Sequence, residues 1–382
     1  MWRGHRIDCL RVCWQSPQAG TTTDILSAMQ TLSIRCGPRA LATLKREGLR
    51  PGDVEIIPAA AGGPKGLALN GLDCALFGEW LPQQPRQRQL IGASVGAWRM
   101  AAATQADPVA AFTRLAGAYC EQRYSDKPKA DEISAVCQQL VAQIVDNREA
   151  EILGNTHNHL NILTVRGKKL LAQDGPRRTP AGFAAAAAFN AVSRRHLRHW
   201  LDRVWFYDPR KKTDLLPLDD FHTGEVPLSA ENLHAALLAS GAIPLVLNAV
   251  TDISGAPPGY YWDGGIIDYH LHLPFERAEG LVLYPHFTDH IVPGWLDKFH
   301  KSRRAAGPAL DNLVLISPSP EFVATLPNGK LPDRSDFKHY GPKRQHERIR
   351  DWRCAVSESR RLGDEFLTIV ENGEIAGRAI PL

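Results

Sequence analysis

No apolar run in the chain approaches the roughly 20 residues that a membrane-spanning helix needs, so a helical membrane protein is not expected. The sequence has no C-x-x-C. Its seven cysteines, Cys9, Cys13, Cys36, Cys74, Cys120, Cys137 and Cys354, are scattered. Reduced thiols are therefore expected, rather than a disulfide scaffold or a zinc site. Strong charge is also missing. A net +4 over 382 residues lacks the clustered basic face of a nucleic-acid binder. Arg3, Arg6 and Arg11 are not followed by a continuous apolar stretch, so no secretory leader is expected and a cytoplasmic location is. There is no internal repeat and no Pro/Gly/Ser-rich interdomain linker.

What is present is ordinary globular material, 44% hydrophobic and 23% charged. A chain of this length buries a sizeable core without a disulfide or metal staple. Residues 15–23 are turn-rich, so residues 1–28 are expected to form a flexible extension and residues 29–382 a single domain. Within that domain strand and helix patterns alternate. Residues 54–59 read as a buried strand, 67–80 as a helix, 89–92 as a second strand, and a further helix starts at Ala97. This βαβα order predicts an α/β fold with a mostly parallel central sheet and helices on its faces. Residues 107–150 are helical in pattern and are candidates either for a helical cap that shapes an acyl pocket or, equally, for core packing. Later strands are expected at 160–165, 204–207, 260–263, 280–284 and 313–316. Helices are expected at 184–200, 229–239 and 348–370, the second with a weak Ser229…Asn232 capping box.

Three short segments carry chemistry. Gly92-Ala93-Ser94-Val95-Gly96 matches G-x-S-x-G at a strand-to-helix junction. Such a turn needs small residues around an exposed nucleophile, and it sets Ser94 at a helix N-terminus, where developing negative charge is favoured. About thirty residues earlier, Gly62-Gly63-Pro64-Lys65-Gly66 occupies another strand-to-helix junction. Adjacent glycines present backbone N–H groups without side-chain obstruction, as an oxyanion hole requires. Pro64 cannot donate, so Gly62 and Gly63 are the candidate donors, with Val95 as a third and Lys65 adding charge nearby. The loop is neither a Walker A sequence nor a G-x-G-x-x-G fingerprint, so no nucleotide cofactor is expected. The third segment, Asp263-Gly264-Gly265, closes a strand and supplies a candidate general base for Ser94.

In this order the three segments resemble the patatin-like phospholipase family. Its pattern is a G-G-G-x-[KR]-G loop, then G-x-S-x-G, then D-G-[GA]. Ala239-Ser240-Gly241-Ala242-Ile243-Pro244 is similar to the family's segment ahead of the aspartate. The resemblance covers roughly residues 54–274. It implies a three-layer α/β/α fold, a Ser94–Asp263 dyad without histidine or cofactor, oxyanion donation from Gly62 and Gly63, and hydrolysis of lipid acyl esters. Lys65, Gly66, Gly92, Gly96, Gly264 and Gly265 support the motifs. Ala61 stands where the family has its first loop glycine, which could narrow the turn or shift an amide. The segment 268–272 also departs from the family pattern.

Other readings compete. A Ser-His-Asp α/β-hydrolase would draw on His286 or His290, although only about two strands are expected ahead of Ser94. A metallohydrolase would use His270 and His272, two imidazoles on one face of a strand, with His286 and His290. A non-catalytic lipid-binding protein would keep the fold without the dyad. Two basic runs, Lys298/Lys301/Arg303/Arg304 and the seven cations against three carboxylates of residues 334–353, with Trp295 and Phe299, suggest peripheral contact with an anionic membrane. The oligomeric state is left open.

Overall fold

The computed structural model describes residues 30–382; the extension expected over residues 1–28, with Cys9 and Cys13, lies outside the described residues. The fold is mixed α/β, built on one ten-stranded, mostly parallel sheet. Its strands are β1 (Leu32–Cys36), β2 (Val54–Ala59), β3 (Arg88–Ala93), β4 (Asn158–Gly167), β5 (Leu201–Tyr207), β6 (Thr223–Pro227), β7 (Tyr261–Asp263), β8 (Leu281–Pro285), β9 (Leu313–Pro318) and β10 (Ala379–Pro381). The spatial order is β10-β1-β9-β8-β2-β3-β4-β5-β6, with β7 paired to β4 off that path. The run β9-β8-β2-β3-β4 is parallel throughout.

The central strands are buried on both faces, as their continuous apolar runs require. Side chains alternate between two cores. Ile57, Leu90, Ile162 and Leu283 face a helical layer that includes Val95–Ala103, Pro108–Cys120, Ala130–Val145 and Leu233–Ser240. Ile56, Ile91, Leu163 and Val282 face the other side. There, irregular chain around residues 269–292 and the alanine-rich helix Arg178–Val192 make the third layer.

Several elements differ from the sequence pattern. Strands β1, β6 and β10 were not expected, so three strands, not two, lead up to Ser94. The helix expected over 67–80 is broken into Gly63–Leu69, Asn70–Ala75 and a π-helical turn, Leu76–Trp80. The alanine-rich helix starts earlier and stops at Val192. The helix expected from residue 229 starts at Leu233, and Asn232 Oδ1 accepts from Ser229 N at 2.9 Å, half of the capping box. The closing helix is two helices, Gln345–Glu358 and Arg360–Glu371. At their junction Ser359 Oγ accepts from Gly71 N at 2.8 Å, and a Cβ on Gly71 would stand 2.2 Å from Ser359 O. That crossing seats the Ser359 junction against the first turn of Asn70–Ala75.

Candidate active site

The strand β4 brings the site together. Its first half pairs with β3, ending at Ala93 opposite Leu163. There β3 turns away into a helix, and the next stretch of β4 pairs with β7 instead, so Asp263 sits opposite Thr164. Residues 169 positions apart thus occupy neighbouring places beside one strand.

Ser94 Oγ donates to Asp263 Oδ2 at 2.7 Å. Both residues are buried. Ser94 has φ 56° and caps the helix Val95–Ala103. A non-glycine residue in that conformation is strained and persists only where its surroundings hold it. The turn is held by close approach: a Cβ on Gly96 would lie 1.9 Å from Ala59 O, and one on Gly92 would lie 2.5 Å from Ala97. It is also held by Ser240, whose hydroxyl accepts from Ser94 N at 2.8 Å and donates to Leu163 O at 2.7 Å. The same 239–244 segment supports the carboxylate, since Asp263 N donates to Ala242 O at 2.9 Å. Asp263 Oδ1 accepts from Gly265 N at 2.7 Å, and Gly264 packs against the Leu163 carbonyl.

The glycine loop follows β2 on the same edge of the site. Gly63 and Val95 are the first residues of their helical segments, so their N–H groups have no acceptor within those segments. Gly63 has φ +57°, a conformation that favours glycine. Ala61 does not disturb this arrangement. Its N–H donates to Tyr269 O at 2.9 Å, and its methyl group sits where Gly265 leaves room, 2.5 Å from the position of a Cβ there. Gly66 lies against Val95 and Arg99.

A cavity of about 330 Å³ opens onto Asp263, lined among others by Gly62, Lys65, Tyr269, Trp295, Lys298 and Arg334. Burial raises the Asp263 pKa above the usual carboxylate value, opposed by Arg334, the Ser94 hydroxyl, the Gly265 amide and Lys298. Burial also lowers the Lys298 ammonium to about 7, with Lys65 and Arg334 pushing the same way. A strand-to-helix serine hydrogen-bonded to a buried carboxylate, with backbone amides beside it, is equipped for nucleophilic attack and proton transfer.

The four histidines fall elsewhere. Residues 268–272 are not a strand, and Leu271 has φ 41°, so His270 and His272 do not share a strand face. His270 and His286 are buried, their rings 4.3 Å apart. His270 Nδ1 accepts from Val292 N, and His286 Nδ1 accepts from Thr288 N. Burial holds both below the usual histidine value, His286 at about 3. His290 pairs with Asp289. Among the described residues, no histidine hydrogen-bonds Ser94 or Asp263, and no three His, Cys, Asp or Glu side chains converge as a metal set.

The basic runs divide between open and engaged side chains: Lys301, Arg304, Lys338 and Lys343 are exposed, whereas others are bound within the protein. Arg348 is buried and donates to the carbonyls of Cys120 and Gln122. Arg344, Arg350 and Arg353 pair with Glu347, Asp351 and Glu121. Arg303 is bound to Asp297, Asn190 and Ala191. Lys298 and Arg334 belong to the cavity wall, as does Trp295. Their role beside the base is not visible in the sequence, where they stand 32 or more positions beyond Asp263. No residue of 107–150 lines the cavity. That segment packs instead in the helical layer beneath Ser94. No helix among the described residues is long and apolar enough to cross a membrane.

No protein-family model and no curated protein matches the chain. Among solved structures, human GIVD cytosolic phospholipase A2 is similar with a TM-score of 0.32 and 11% identity. The match covers 88% of this chain but only 63% of that one. Likeness at that level carries no weight for activity, which has to be argued from the site.

Proposed function

We propose that the protein is a serine hydrolase of carboxylic esters, of the patatin-like lipid acyl hydrolase type, acting through Ser94 and Asp263. The observation that carries this reading is the 2.7 Å hydrogen bond from Ser94 Oγ to Asp263, made at a strained strand-to-helix turn. Gly62, Gly63 and Val95 are the oxyanion donors.

The chemistry runs in two halves. Asp263 takes the Ser94 proton as Oγ attacks the ester carbonyl. The oxyanion is held by backbone amides, and the alcohol leaves with the proton from Asp263. Water then gives a proton to Asp263 and attacks the acyl-enzyme. Collapse releases the acid and returns the proton to Ser94. The raised Asp263 pKa suits a base that must also act as an acid. No cofactor enters either half. Leu245, Val246 and Phe299 are exposed apolar side chains. Leu245 and Val246 follow the cavity residues Ile243 and Pro244, and Phe299 follows Lys298. A cytoplasmic enzyme touching a lipid surface through this rim is part of the same proposal, as is a single domain over residues 29–382.

The test is a hydrolysis panel of p-nitrophenyl esters of graded chain length beside defined phospholipids, with Ser94→Ala as control. Turnover in the wild type and none in the variant is expected. Activity retained by Ser94→Ala would remove the assignment.

A further inference from the structure

The cavity beside Asp263 has an unusual wall. Three cations, Lys65, Lys298 and Arg334, line a space of about 330 Å³. None of the three makes a hydrogen bond or ion pair to a carboxylate among the described residues. Lys298 Nζ rests 4.0 Å above the Tyr269 ring, and Lys65 Nζ lies 5.1 Å from the centre of the Phe287 ring. Arg334 Nε stands 3.2 Å from the place a Cβ would take on Gly63, which sets its guanidinium against the candidate oxyanion loop. The carboxylates at hand are already engaged. Asp263 holds Ser94 and Gly265, and Asp333 is taken by Lys330 and Ser335. The cations also repel one another: Lys65 and Arg334 both disfavour the charged form of Lys298. Like charges converging on a concave site raise the local potential and draw an anion to it.

We propose that this cavity takes a compact ester carrying an oxyanion, phosphate or carboxylate, close to the scissile carbonyl, and that Arg334 and Lys298 bind that oxyanion. The inference rests on the reading of Ser94 and Asp263 as the ester-cleaving pair and adds the substrate class. A guanidinium and an ammonium on one oxyanion make charge-assisted hydrogen bonds, and the anion relieves the repulsion between them. Tyr269 and Trp295 supply apolar wall for a short acyl or alcohol group. The volume lies at the small end of the roughly 300–1,000 Å³ usual for ligand pockets, which favours a compact molecule over two long acyl chains.

The experiment compares matched substrates. Hydrolysis of 1-butyrylglycerol 3-phosphate is measured beside neutral 1-butyrylglycerol, and 4-carboxyphenyl butyrate beside phenyl butyrate. Dioleoyl phosphatidylglycerol vesicles form a third arm. The expected result is a kcat/KM ratio of anionic to neutral ester of about 10- to 100-fold. That ratio should fall about tenfold or more in Arg334→Gln and in Lys298→Met. Inorganic phosphate should compete with phenyl butyrate in the wild type, and about tenfold more weakly in Arg334→Gln. Ratios near one, or ratios that neither substitution changes, would overturn the proposal. Faster turnover of the vesicle lipid than of the butyryl phosphate ester would overturn its compact form. Labelling of Ser94 by a fluorophosphonate separates the two claims. Labelling with no anionic preference leaves the dyad standing and removes the substrate class, whereas failure to label removes the dyad itself.

Discussion

Asp263 and Asp268 lie five residues apart, and both are buried, yet the protein treats them in opposite ways. Asp268 receives two hydrogen bonds from Arg203, at 2.7 and 2.8 Å. Arg203 is itself completely buried and is gripped a second time by Asp220. Asp263 has no such partner. It is held by one hydroxyl and one amide, and its nearest cations act from across a cavity. A buried charge that is fully paired is inert and becomes part of the scaffold. A buried charge left with neutral donors keeps a perturbed pKa and stays available for proton transfer. The same contrast separates Arg99, locked onto Asp73 by two 2.7 Å bonds, from Arg334 in the cavity wall.

The sharpest way to break this comparison is at the nucleophile. Ser94→Ala should lower ester hydrolysis by about 10³-fold or more with the melting temperature nearly unchanged. Steady-state kinetics and a thermal melt check both halves.

The two aspartates should then part company. Asp263→Asn should lower kcat by about 10³-fold while leaving the fold as stable as the wild type or more so. Asp268→Asn should cost about 3–5 kcal/mol of stability, because it leaves part of the buried Arg203 charge uncompensated. Denaturant melts of the two variants decide this, and a stability loss in Asp263→Asn matching that in Asp268→Asn would erase the distinction.

The sign follows from linkage. The Asp263 pKa is raised in the folded state. Its stabilising contribution is therefore present below the ordinary carboxylate pKa and is lost as pH rises through the folded value. Any gain from Asp263→Asn should accordingly appear at neutral pH and vanish in acid. Activity needs the ionised form, so kcat/KM should fall on the acid side at a pH above the usual carboxylate value. Arg334→Gln should move that limb further up, since Arg334 opposes the shift. A pH–rate profile of the wild type and the variant reads this directly.

Smaller effects test the support. Gly96→Ala drives a methyl group onto the Ala59 carbonyl and should cost about 1–3 kcal/mol along with activity. Ser240→Ala removes the hydroxyl between Ser94 N and Leu163 O. It should cost about 1 kcal/mol and lower kcat more than it changes KM.

The elbow, the glycine loop and the Asp-Gly-Gly turn were legible because each depends on small residues at fixed spacing, and that requirement is local. The α/β class was legible because buried parallel strands read as short apolar runs. The sheet's edges were harder. Strand β1 carries a clear alternation, with Leu32, Ile34 and Cys36 buried between Ser33 and Arg35, but it is five residues long and directly follows the segment set aside as an extension. Strand β10 has only three residues. The crossing of Ser359 over Gly71 joins segments nearly 290 positions apart, and no local pattern announces it. The charged residues were the least legible. Arg348 and Lys298 read alike in the sequence, but one is buried against the Trp352 ring and the other lines the cavity. The pairing of β7 with β4 beyond the end of β3, which makes Asp263 a neighbour of Ser94, is also a tertiary fact.

The central claim is that Ser94 is a nucleophile activated by Asp263. Intact-mass analysis of the protein after brief exposure to a fluorophosphonate tests it most directly. One adduct per chain is predicted for the wild type, none for Ser94→Ala, and much slower labelling for Asp263→Asn. Labelling of Asp263→Asn at the wild-type rate, or loss of labelling on replacing His270 or His286, would contradict it.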